Sequence, residues 1–112
     1  MSKITEESEK DLDKHYRGGK TMRQVWKFPI SKTTQKTILP LPVSCKILCV
    51  GTQGNDPWMW AEVTNPSSSG TKDRTFLTFG TGHDMPDGSH LVYIGTYFLY
   101  GGGEVYHVYE EK

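Results

Sequence analysis

The sequence predicts an all-β domain, a small antiparallel β-sandwich or partly open barrel, preceded by a polar N-terminal arm. Three observations carry this. From Gln24 onward, short runs alternate apolar and polar residues at a period of two. Turn-forming clusters of Gly, Pro, Asn, Asp and Ser separate those runs. No stretch after residue 22 shows a convincing helical pattern, and consecutive strands with turns between them give sandwiches or barrels.

The arm is residues 1–22, and residues 23–112 form the single β-domain. The arm is rich in Lys and Glu, holds little apolar beyond Ile4 and Leu12, and ends in the joint "YRGGKT". It reads as a tail or a short frayed helix. Thr5 can cap such a helix, with Glu6, Glu7 and Glu9 near its N-terminal dipole.

The strands follow in order. "QVWKFPI" sets Trp26, Phe28 and Ile30 on a face expected to be buried, and Pro29 marks an edge strand. "KTILPLPVS" is held extended by two prolines. "CKILCVGTQG" is mostly apolar, as expected of a central strand. Gly54-Asn55-Asp56-Pro57 turns it back into "WMWAEVTN" as a hairpin. "RTFLTFG" follows the loop "PSSSGTKD", with Phe76 and Thr78 on one face and Leu77 and Phe79 on the other. The long loop "TGHDMPDGSH" leads to "LVYIGTYFLY". Gly101-Gly102-Gly103 then turns the chain into "EVYHVYEEK", with Val105, His107 and Tyr109 on one face.

Composition narrows the function classes. Thirteen basic and thirteen acidic side chains leave a formal net charge of zero, so no basic footprint for duplex nucleic acid is expected. No apolar run approaches the ~18 residues of a membrane span. The first residues lack the apolar core of a secretory signal, and the host cytoplasm is the expected location. Cys45 and Cys49 share one strand. Four residues at ~3.3 Å each separate them by roughly 13 Å, beyond the ~7 Å limit for a disulfide. Both are expected to be reduced, buried and on one face.

The motifs "VWKFPI", "LPVSCKILCV", "MWAEV", "FGTGH", "YIGT" and "GGGEVYHVYE" occur in that order. In them the chain resembles a family of small uncharacterised bacteriophage proteins over roughly residues 25–110. Ser44, Tyr106 and Tyr109 depart from the family's usual residues, and residues 1–22 are additional. The resemblance implies a phage source and no assigned enzyme activity.

Gly80-Thr81-Gly82-His83 is the most site-like stretch. Glycine backbone N–H groups can form an anion-binding nest, and His83 adds a donor that becomes cationic near neutral pH. Arg74 and Trp58 are candidate neighbours, Trp58 as a stacking platform for a base. The competing reading is a bend at a strand end, with His83 bonded to a backbone carbonyl. The stretch is not a P-loop, which needs four residues between its glycines and a following Lys-Ser/Thr.

Asp84, Asp87 and His90 crowd the same loop, but their spacing fits no ordered metal site. His107 reads as a satisfied, half-buried histidine. No nucleophile–base–orienter set is legible from spacing, so no catalytic residue, metal or cofactor is assigned. The expected function is a non-enzymatic, phage-encoded accessory protein that counters host defence or host physiology by binding, with a nucleotide-like signal sequestered at the 80–83 loop as the leading form. A protein-binding inhibitor, docking through a sheet edge or the arm, is the alternative, and a minor virion component the third reading. The high aromatic content points to a homo-oligomer.

Overall fold

The computed structural model describes residues 21–32, 36–66, 70–88 and 90–112, so expectations for residues 1–20 lie outside it. The described residues form seven strands: β1 (Arg23–Pro29), β2 (Lys36–Pro42), β3 (Cys45–Gln53), β4 (Asp56–Thr64), β5 (Thr71–Gly80), β6 (Leu91–Leu99) and β7 (Glu104–Glu111). A short 3₁₀ turn, Tyr100–Gly102, joins β6 to β7. Among the described residues no helix is long and apolar enough to cross a membrane.

The strands form two antiparallel sheets, one ordered β1-β4-β3 and the other β2-β5-β7-β6. They pack face to face through the alternation visible in the sequence. Phe28 and Ile30 of the first run are buried as expected, and Met59, Ala61 and Val63 of β4 are fully buried. Phe76, Val108, Tyr97 and Leu99 meet them from the second sheet. On one side the edges β3 and β6 touch. A Cβ on Gly95 would lie only 2.8 Å from the Val50 side chain, so glycine permits that approach.

Two sequence expectations need correction. β3 is an edge of its sheet, not a central strand; β4 occupies the centre, because β1 and β3 both pair with it. The two cysteines do not share a buried face. The β3–β4 register shifts between Ile47 and Cys49, an extra residue that reverses the alternation. Cys45 pairs with buried Val63, whereas Cys49 pairs with outward-facing Trp60 and is exposed. Burial pushes the Cys45 thiol pKa up, opposed by the nearby Arg74 charge.

Two other predicted features of the strands stand where expected. β1, carrying Pro29, is an edge strand, and β3–β4 is a hairpin turned at Gly54, whose φ is +63°. β2, carrying Pro40 and Pro42, is an edge of the four-stranded sheet.

Candidate functional site

The 80–83 stretch ends β5. The His83 N–H donates to the Gly80 carbonyl at 3.1 Å, which makes the four residues a β-turn. Gly82, third in the turn, has φ +86°, the type II arrangement that glycine suits. Gly80 is required for a different reason. A Cβ there would lie 2.7–2.8 Å from Cε1 and Nδ1 of the His83 ring. The ring therefore packs directly against the Gly80 backbone.

Two of the backbone N–H groups that an anion nest would use are engaged elsewhere. The Thr81 N–H donates to the Val105 carbonyl at 3.1 Å, and the His83 N–H is spent on closing the turn. Nor does the length of the following segment signal a site by itself. β5 and β6 are not hairpin partners: each pairs antiparallel with β7, which lies between them, so they run parallel. A parallel connection has to return along the length of the sheet, and that takes about ten residues or more. Its members 83–88 are exposed.

Beside the turn is an open pocket of about 290 Å³. It is lined by Gly80, Thr81 and His83 from one side, and by Gly103, Glu104, Val105 and Tyr106 from the start of β7. The Tyr106 hydroxyl donates to Glu104 Oε1 at 2.8 Å, and that bond raises the phenol's pKa. The pocket thus presents a hydroxyl, an imidazole, a carboxylate and an aromatic ring.

A hydrogen-bonded row of side chains adjoins Thr81. Its Oγ1 lies 2.7 Å from His107 Nε2, and Thr96 Oγ1 lies 2.9 Å from His107 Nδ1. The Tyr93 hydroxyl is 2.6 Å from Thr96 Oγ1. The Thr81 hydroxyl also reaches the Val105 carbonyl at 3.4 Å. In one direction that satisfies the row, Tyr93 donates to Thr96, Thr96 to Nδ1, Nε2–H to Thr81, and Thr81 to Val105. His107 is held at both ring nitrogens. A hydroxyl stands behind the imidazole, where a nucleophilic triad has a carboxylate.

This row was hidden in the sequence. Tyr93 and Thr96 are three apart, which puts side chains on opposite faces of a regular strand. The β6–β7 register shifts between Tyr93 and Gly95, and the extra residue brings both onto the His107 face. Phe79 and Tyr93 each pack edge-on against Tyr109 there, with ring centroids 5.9 and 5.4 Å apart.

Residues 22–112 match the profile of a family described as a domain of unknown function, DUF7352. The chain belongs to the DUF7352 family. No curated protein matches it, and no solved structure matches it.

Neither predicted neighbour of the turn is brought to it in this DUF7352 domain. Arg74 lies six residues back along β5, roughly 20 Å at ~3.3 Å per residue. It is held between the sheets. Its Nε and NH2 donate to the two Glu110 carboxylate oxygens, both at 2.7 Å, and NH1 donates to the Cys45 carbonyl at 2.9 Å. The guanidinium holds the Glu110 carboxyl below its usual pKa, and Glu110 in turn raises that of Arg74. Trp58 faces outward from the other sheet, with Lys27 Nζ 4.1 Å from its ring centroid. His83, Asp84, Asp87 and His90 do not converge: among the described residues no three His, Cys, Asp or Glu side chains gather as a metal site would require.

Proposed function

We propose that this protein is a non-enzymatic binding protein whose ligand seats in the pocket between the 80–83 turn and the start of β7. The single observation behind this is the pocket itself, which joins His83, Thr81, Glu104 and Tyr106 from two separate parts of the chain. Its mix of an aromatic ring with a few polar groups suits a small polar aromatic ligand. A nucleotide-like molecule enters with its base or ribose first. The Glu104 carboxylate accepts bonds from amino or hydroxyl groups and repels phosphate, and the N–H groups of Thr81 and His83 are already committed. The resemblance of the sequence motifs to small phage proteins gives the role a setting, in which the protein sequesters a host defence signal in the host cytoplasm.

Docking of a host protein by strand addition is the weaker reading. The open edges β1 and β2 carry Pro29, Pro40 and Pro42, and proline blunts an edge against pairing.

Equilibrium dialysis against mono-, di- and cyclic nucleotides tests the proposal. Binding is expected for at least one class, with His83→Ala and Glu104→Gln each weakening it about tenfold, as loss of one charge-assisted bond requires. Binding that survives both substitutions, or no retention of any class at millimolar concentration, refutes it.

A further inference from the structure

The outer face of the three-stranded sheet is left unused by the pocket. Because Met59, Ala61 and Val63 point into the core, Trp58, Trp60 and Glu62 point out, along the central strand. The pairing sets Lys27 beside Trp60, Gly51 beside Trp58, and Lys46 beside Glu62. Both tryptophans are half-buried and neither belongs to the core. A Cβ on Gly51 would lie 3.4 Å from Cζ3 of Trp60, so one edge of the indole reaches over the glycine. Lys27 reaches over the Trp58 ring and also contacts Gln53.

Charge on this face departs from that of the chain. Arg23 and Lys27 flank the tryptophans on β1 and Lys46 flanks them on β3, against two acids of β4, Asp56 at its start and Glu62, which Arg23 meets at 3.5 Å. Three cations against two acids leave the face net positive by one charge, in a protein whose formal charge is zero. No described connection between strands crosses it: β3 and β4 join at the Gly54–Asn55 turn, and β1 and β4 each lead on to the other sheet.

We infer that the Trp58–Trp60 face binds single-stranded nucleic acid, with successive bases stacked on the two indoles and phosphates beside Lys27, Lys46 and Arg23. Residues two apart on a strand stand roughly 6.7 Å from each other on one face, a spacing that suits consecutive nucleotides of an extended strand. Aromatic platforms flanked by cations are the common means of holding single strands without reading sequence. Duplex is excluded from the same contacts, because its bases are already stacked on one another. The inference stands on a different sheet from the pocket and does not depend on it.

Fluorescence anisotropy of a labelled oligothymidylate of about twelve nucleotides, titrated with the full chain, tests this. Saturable binding is expected to weaken about 20-fold between 50 and 200 mM salt, the slope for about three phosphate contacts on a single strand. Trp58→Ala and Trp60→Ala should each weaken binding tenfold or more. Lys46→Ala, an exposed position whose loss leaves the core untouched, should reduce the salt slope by about 0.7. Phe98→Ala, exposed on the other sheet, should change nothing. Three results overturn the inference: no binding at 100 µM protein, equal binding of dextran sulfate or duplex of the same length, or full affinity in folded Trp58 and Trp60 variants.

Discussion

Replacing Glu110 by Gln tests the clamp between the sheets. Glu110 is 5% exposed, and both its oxygens accept 2.7 Å bonds from Arg74. The same guanidinium reaches across to the Cys45 carbonyl on the facing sheet, so one cation fixes β5, β7 and β3 together. Removing one partner of a buried ion pair costs about 3–5 kcal/mol, because the other charge stays buried without compensation. The Arg74 side chain is 20% exposed, which lets water relieve part of that, so the low end applies, about 3 kcal/mol. For a domain near 100 residues each kcal/mol moves the melting temperature by about 4–8 °C, so the variant should melt about 15 °C lower at pH 7.

The pH dependence follows from the direction of the Glu110 shift. Its pKa is lowered in the folded state, so its contribution is complete above the ordinary carboxylate value of 4.5 and disappears as pH falls through the lowered value. Calorimetry at pH 7 and pH 3 should therefore show the gap between wild type and variant closing in acid. Arg74→Met combined with Glu110→Leu should recover most of the loss, since an apolar pair leaves no orphaned charge. A single variant that melts within 2 °C of wild type at pH 7 would refute the reasoning.

Three further outcomes are expected. Thr78→Val should stabilise the protein by about 1 kcal/mol in urea unfolding, because Thr78 Oγ1 is buried without a hydrogen-bond partner and valine matches its shape. Gly82→Ala should destabilise by about 1–2 kcal/mol, the cost of a Cβ at φ +86°; an unchanged midpoint would mean that the turn relaxes freely. Burial pushes the Tyr97 phenol up to about 12 from its ordinary 10. Stability should thus be intact below pH 10 and fall as pH rises through about 12, and the Tyr97→Phe melting curve should be flatter over that window.

The sequence alone determined the class of the domain and much of its local form. Alternation placed Phe28 and Ile30 in the core, Gly54-Asn55 closed the β3–β4 hairpin, and Pro29 marked an edge, because each depends on neighbours a few residues away. Tertiary structure decided what depends on which strands meet. Only pairing reveals that β4, β5 and β7 are the inner strands, and that β7 comes between β5 and β6, making the ten residues after Gly80 a crossover. Extra residues in β3 and β6 reverse the alternation, turning Cys49 outward and aligning Tyr93 with Thr96; a bulge shows only against a partner's register. Arg74 looked free to serve a ligand because Glu110, its partner, lies 36 residues away in sequence. Side-chain type survives in a sequence, but the hydrogen-bond partner that commits it is set by the fold.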